Sequence, residues 1–185
     1  MSAMPAGVTG NVQFTYYDIH GNSIRELMRQ IRDNELVATG TTRAVAVTNW
    51  KLAWNWRAAP LGGGGGCALN TIDVRLDVEY IMPRWSPPDD ASSQLRRWWD
   101  GYLARLEVHE SHHKDIAADA GKEIVRLLRS VKGNCNTINF DASSGASEIY
   151  QRSRRLEEEF DIEERRRTDD PLKALRDSLL RASRP

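Results

Sequence analysis

Three side chains near the middle of the chain have the types and spacing of a metal-dependent hydrolytic site. His109, Glu110 and His113 form the pattern H-E-x-x-H. On a helix, two histidines four residues apart share one face and can bind one Zn²⁺, while the glutamate beside them can act as general base. These residues therefore predict metalloprotease chemistry, with His109 and His113 as zinc ligands and Glu110 as the catalytic base.

The apolar residues on both sides of this motif recur every three or four positions, which indicates one long helix. The stripe consists of Leu95, Trp99, Tyr102, Leu106, Ile116, Ala120, Ile124, Leu127 and Val131. His109 and His113 continue it, so we expect them to face the interior, where an unpaired imidazole is costly and a metal would satisfy it. The alternatives are two core histidines satisfied by side-chain hydrogen bonds, or a solvated polar turn. The presence of Glu110 favours the metal site.

The composition argues against several classes of partner. Lys plus Arg and Asp plus Glu both number 26, so the chain has no net charge with which to attract nucleic acid or anionic lipid. No run reaches the ~18 to 20 apolar residues that cross a bilayer, so no membrane span is expected. With 185 residues, of which 40% are hydrophobic, the chain has the size of one domain. We therefore predict a single domain over residues 1–185, without a nucleic-acid partner.

The two cysteines leave two possibilities open. Cys67 and Cys135 are widely separated and lack C-x-x-C spacing, which argues against a redox pair or a cysteine-based zinc site. Either one structural disulfide or two inert thiols remains.

The alternation of apolar and polar residues predicts three strands, near residues 12–19, 41–57 and 72–80. The last two flank a loop too short for a crossover helix, so we expect them to pair antiparallel. Four helices are predicted. The first follows Ser23, and the second carries the motif from caps at Asp89 and Asp90 to about Val131. The third follows a polar loop that ends at Ser147, and the fourth begins at Pro171. The tail helix has Leu172, Leu175, Leu179 and Leu180 as its apolar side. The predicted fold class is α+β: a small antiparallel sheet packed against the long motif helix, with C-terminal helices.

Several stretches together resemble a bacterial family of predicted secreted zinc-dependent proteases. They are the run 16–21 (YYDIHG) before Glu26 and Leu27, the strand with Trp50, Trp54 and Trp56, Cys67 before an alternating strand and Pro83-Arg84-Trp85, the H-E-x-x-H motif, and Cys135. The resemblance implies a zincin-like domain with a Zn²⁺ cofactor, a protein or peptide substrate, and a secreted or periplasmic location. It also implies a disulfide between Cys67 and Cys135.

The chain departs from the family pattern near its C-terminal end. Relatives tend to carry Tyr-Asp-x-x-Thr-x-His-Gly, and the matching run 160–167 is FDIEERRR, so Arg166 stands where the pattern has histidine. Catalytic zinc usually has three protein ligands, so one more donor is needed. Asp161, the acid kept from the pattern, is the predicted third ligand. Glu157 and Glu164, each about one helical turn away, are the alternatives, and all three could instead be solvated charges.

These observations lead to three hypotheses. The first is a zinc-dependent peptidase that hydrolyses peptide bonds with metal-activated water. The second, motivated by Arg166, is a catalytically inactive relative that serves as a binding or envelope-maintenance module. The third is a cytosolic helical interaction protein with an accidental motif, which requires Cys67 and Cys135 to be free thiols.

Overall fold

The computed structural model describes the backbone of residues 4–37 and 43–182, and the side chains of residues 4–36 and 44–167. Its elements, in chain order, are β1 (Val12–Ile19), α1 (Ile24–Asp33), β2 (Leu36–Val37), β3 (Arg43–Ala44), β4 (Val47–Pro60), a 3₁₀ turn (Gly62–Gly64), β5 (Cys67–Trp85), α2 (Ser93–Ser130), β6 (Lys132–Gly133) and α3 (Ile138–Ala182). The α+β class is confirmed: a small sheet lies against the long motif helix α2, and a C-terminal helix follows.

The main sheet has the order β1-β5-β4, with β6 pairing the start of β5. As predicted, β4 and β5 form an antiparallel hairpin. The expectation of an entirely antiparallel sheet is wrong for β1, which pairs parallel to β5. The pairings explain why: β4 begins at the end of the sheet where β1 finishes, because Val47 lies opposite Ile81 and Tyr17 lies opposite Pro83. β5 then inserts between the two strands, so it must run against β4 and along β1.

One face of the sheet is covered by α2. Along β5 every second residue is buried, namely Val74, Leu76, Val78, Tyr80 and Met82. These side chains join Leu52 of β4 and Ile124 and Leu128 of α2 in one apolar core. The N-cap of the helix is Ser92 rather than Asp89 or Asp90, so the helix begins two or three residues later than predicted; the Ser92 side chain accepts a hydrogen bond from the backbone N–H of Leu95. Its long span places the motif in the middle of the helix.

The C-terminal region differs from the sequence prediction. The sequence predicts a polar loop over the run with Ser144 and Gly145, but α3 is one continuous helix from Ile138. The small residues are instead the contact face of a close helix pair: Ala142 and Ala146 are fully buried. A Cβ on Gly145 would lie 2.8 Å from Leu127 Cδ2 of α2. The predicted tail helix from residue 171 is part of α3, and its leucine side chains lie outside the described residues.

Aromatic side chains of β4 hold α3 against the sheet. Trp50 packs edge-on against Tyr150 with ring centroids 5.5 Å apart, and Trp54 lies 5.9 Å from the same ring. Trp56 Nε1 donates to Asn139 Oδ1 at 2.9 Å. The tryptophans of β4 therefore fix the position of the helix that carries the candidate acids.

A disulfide joins Cys67 to Cys135, 68 residues apart, as the family resemblance implied. It links the start of β5 to the turn between α2 and α3. In the part of the chain that the structure describes, no helix is both long enough and apolar enough to cross a membrane.

Candidate metal centre

Two helices bring three potential metal ligands together. His109 and His113 lie on one face of α2, and Asp161 faces them from α3. His113 Nε2 is 3.0 Å from Asp161 Oδ1, and His109 Nε2 is 3.3 Å from the same oxygen. The two Nε2 atoms are 3.3 Å apart. The three predicted ligands therefore point at one position between the helices.

These separations fit a bound zinc ion. Zinc binds histidine nitrogen and carboxylate oxygen at about 2.0–2.2 Å, so neighbouring ligand atoms of a regular tetrahedron lie about 3.3–3.6 Å apart. The two separations of 3.3 Å fall at the start of this range, and the third is slightly shorter. Two imidazoles and one carboxylate are also a donor set that catalytic zinc uses. The side chains of His109 and Asp161 are 29% and 28% exposed, which leaves this side of the centre accessible to solvent.

His113 is the most buried of the three ligands, and a carboxylate lies near each of its ring nitrogens. Asp161 is at Nε2, and Glu157 Oε1 lies 3.5 Å from Nδ1. Burial alone would lower the pKa of His113, but the hydrogen bonds to Asp161 and Glu157 outweigh it and raise the pKa to about 9. Burial alone would raise the pKa of Asp161, but its contacts with His109 and His113 hold that pKa far below its usual range. In the metal-free centre the carboxylates therefore hold a proton on His113.

Glu110 lies beside the ligands and is buried, with 4% of its surface exposed. Thr48 of β4 contacts it twice: Thr48 Oγ1 lies 2.7 Å from Glu110 Oε2 and 3.0 Å from the main-chain oxygen of Glu110. Burial raises the pKa of Glu110, while the Thr48 hydrogen bond and the nearby histidines partly counteract this rise. The hydroxyl has one hydrogen, so it can donate to the charged carboxylate, or donate to the main chain and accept from the protonated carboxyl. Thr48 is therefore a suitable partner for a group that takes up and releases a proton.

Phe160 packs against the histidine rings from α3. Its ring centroid lies 4.9 Å from that of His109 and 5.3 Å from that of His113. The same centroid lies 4.1 Å from that of His112. His112 is exposed and is not one of the three residues that could hold a metal together. Phe160 therefore contacts all three imidazoles of the motif.

The structure distinguishes the acids that the sequence left open. Among the described residues, Asp161 is the acid that groups with both histidines. Glu157 lies behind His113, at the nitrogen that faces away from the other ligands. Glu164 lies 3.5 Å from Arg167 and is not part of the group, and Arg166 is exposed on another side of α3.

Sequence reasoning missed four residues that support the centre. Thr48 contacts Glu110 and Phe160 packs on the histidine rings, while Trp50 and Arg154 both donate hydrogen bonds to Glu157. Thr48 and Trp50 alternate on one face of β4, and this pattern was visible in the sequence. The sequence did not show that Thr48 would contact Glu110 or that Trp50 would contact Glu157, because these contacts depend on how α2 and α3 pack on the sheet.

Comparison with known proteins identifies a family but no activity. Residues 14–168 match a family described as bacterial protein of unknown function (DUF922). Neither a curated protein nor a solved structure matches the chain. Because the match covers most of the sequence and includes the motif and Asp161, the chain belongs to the DUF922 family of bacterial proteins.

Proposed function

We propose that this protein is a zinc-dependent peptidase in which His109, His113 and Asp161 hold the metal and Glu110 is the general base. The observation that carries the proposal is the convergence of three ligand atoms at 3.0–3.3 Å, with a buried glutamate on the residue that follows the first ligand. Hydrogen bonds to Asp161 and Glu157 could also satisfy His113, but they would not explain why Glu110 is buried beside the two histidines.

The residues divide the chemistry between them. Zinc held at this position would supply a Lewis acid that polarises the carbonyl of the scissile peptide bond and acidifies the attacking water. Glu110 would accept the proton of that water and return it to the leaving nitrogen, as a general base followed by a general acid. Burial raises the pKa of Glu110 above its ordinary value, and the Thr48 hydroxyl can accompany either protonation state. The expected substrate is a protein or peptide.

A secreted or periplasmic location is part of this proposal. It is supported by the disulfide between Cys67 and Cys135, because such bonds persist mainly in oxidising compartments.

The alternative, an inactive relative that serves as a binding or envelope-maintenance module, was motivated by Arg166. The geometry favours the enzyme over this alternative, because Asp161 already supplies a third donor and residue 166 faces elsewhere.

The test combines metal content with hydrolysis. Protein purified without chelator should contain stoichiometric zinc and cleave an unfolded protein substrate. His113→Ala should lose the metal, whereas Glu110→Gln should retain it and lose hydrolysis, because the base is not a ligand.

Two matched controls lie on the same helix. His112→Ala removes an adjacent imidazole, and Glu107→Gln removes a carboxylate from an exposed position; both variants should keep metal and activity. A wild-type protein that takes up no zinc at neutral pH, even when zinc is supplied, would rule out the peptidase.

A further inference from the structure

Glu157 is a buried carboxylate that the ligand set does not use. It is 8% exposed, and both of its oxygens have partners. Trp50 Nε1 of β4 donates to Oε1, and Arg154 Nη1 donates to Oε2 at 2.9 Å. Oε1 also lies 3.5 Å from His113 Nδ1. Glu157 therefore connects the sheet to the rear nitrogen of a candidate metal ligand.

The rear nitrogen decides how a histidine can bind a metal. If His113 coordinates through Nε2, the ring proton must reside on Nδ1, and an acceptor at Nδ1 fixes both this tautomer and the ring orientation. Glu157 Oε1 is in the position of that acceptor. The helix that supplies the ligand Asp161 therefore also supplies, one turn earlier, the acceptor behind His113.

The surroundings of Glu157 hold it in place. The Arg154 guanidinium lies over the ring of Trp50, 4.8 Å from its centroid, while both side chains bond to Glu157. Trp50 is itself fixed by its contact with Tyr150. Glu157 is thus braced from β4 and from its own helix.

An ion pair with Arg154 alone does not account for this arrangement. Other pairs on α3 need no burial: Arg167 and Glu163 form the same kind of contact with side chains 68% and 64% exposed. Burying a carboxylate costs free energy that an exposed pair avoids. The additional contacts that the buried position provides are those to Trp50 and to His113.

We propose that Glu157 is a positioning residue, held by Trp50 and Arg154, that orients His113 for zinc. This inference rests on the metal site of the proposed function. It also gives Trp50 of β4 an indirect role in metal binding, because Trp50 donates a hydrogen bond to the acid that orients His113.

The experiment measures zinc affinity by competition with a chelating indicator at several pH values, and compares the variants after correction for the proton that zinc displaces from His113. Glu157→Gln should keep one zinc per chain but bind it about 10–100-fold more weakly, the usual effect of losing an outer-shell partner. Trp50→Phe keeps an aromatic ring over which Arg154 can stack but removes the N–H to Glu157, so it should weaken zinc binding in the same direction by less. The control is Glu158→Gln, the exposed neighbour with the same change of charge, which should stay within about twofold of wild type.

Two further readouts separate positioning from ligation and from a structural role. The absorption spectrum of the Co²⁺-substituted Glu157→Gln protein should keep the wild-type band pattern, because the ligands are unchanged. A spectrum that shows a lost ligand would overturn the proposal by making Glu157 a ligand. Urea unfolding of the metal-free proteins tests for a purely structural role. If Glu157→Gln is less stable than wild type but binds zinc as tightly as Glu158→Gln does, the positioning proposal is also overturned.

Failure of the inference can be told from failure of the proposed function. A wild-type protein that binds zinc but hydrolyses nothing contradicts the peptidase, while the affinities still decide the role of Glu157. A wild-type protein that binds no zinc refutes both.

Discussion

The affinity of the centre for zinc should rise steeply with pH, because metal and proton compete for His113. Its two carboxylate contacts raise the pKa of His113 to about 9, so at neutral pH the metal-free ring carries a proton on both nitrogens. Zinc must displace the proton on Nε2. The apparent affinity should therefore increase about tenfold per pH unit well below 9 and more slowly near 9, which amounts to about 50-fold between pH 7 and 9. Asp161 adds no such dependence, because its pKa lies far below this range.

Zinc competition titrations at several pH values between about 6.5 and 8.5 measure this slope, and calorimetry in buffers of different ionisation enthalpy counts the protons released. Glu110 also has a raised pKa and could add to the count, so the measurement is made in the Glu110→Gln protein, where about one proton per zinc should come from His113. His112→Ala in the same background is the matched control and should leave the slope unchanged.

An affinity that does not change with pH over this interval would refute the reasoning, since it would mean that His113 is already neutral in the metal-free protein. The metal-free fold should show the opposite trend. The raised pKa means that the ion pairs of His113 stabilise the fold fully below about pH 6.5, the ordinary value in an unfolded chain. That contribution is lost as the pH rises through about 9.

Two further predictions concern stability. The Cys67→Ala/Cys135→Ala variant should lose about 4 kcal/mol of unfolding free energy, the loop-closure value for a separation of 68 residues. Urea denaturation measures this, and a loss below about 1 kcal/mol would contradict an entropic role for the bridge. Thr71→Asn should stabilise the fold by up to about 1 kcal/mol, because Thr71 has φ +47° and asparagine tolerates this left-handed conformation better than a β-branched residue. Thr71→Val, which keeps the branch, should bring no gain, and equal stability of the two variants would argue against strain at this position.

Local patterns in the sequence were sufficient for the elements that have regular periodicity. The alternation from Ile72 to Tyr80 predicted a strand that the structure extends at both ends, and the short loop predicted the hairpin. Local patterns could not predict that β1 pairs parallel to its neighbour, because this orientation depends on which strand lies beside β1 in the sheet. The strand order of a sheet is a long-range property, and nothing within Val12–Ile19 records it.

The start of α3 was missed for a different reason. Serine and glycine are rare in helix interiors, so the run around Gly145 favoured a loop. In the structure the same small side chains allow α3 to approach Leu127 of α2 closely, and this packing outweighs their weak helix propensity. These residues are small and polar, but their role depends on their packing against the preceding helix, which their own sequence does not record.

The position of Asp161, the proposed third ligand, follows from that same close contact. Gly145 lies against Leu127, and two antiparallel helices advance by the same 1.5 Å per residue. Sixteen residues further along α3 is Asp161, and sixteen residues back along α2 is Ser111, the centre of the motif. The packing beside the α2–α3 turn therefore sets the register that brings Asp161 to His109 and His113, about 24 Å away.

This register also explains why Arg166 does not remove the site. Five residues beyond Asp161 the helix has turned by about 140° from the ligand direction, so residue 166 faces away from α2 and is exposed. Glu157, one turn before Asp161, remains on the ligand side and meets His113 instead. In this fold the acid that faces the two histidines from α3 is therefore located by its distance from the α2–α3 turn. The sequence shows which acids are available, and only the register of the two helices distinguishes Asp161, the proposed ligand, from Glu157, the acid proposed to support it.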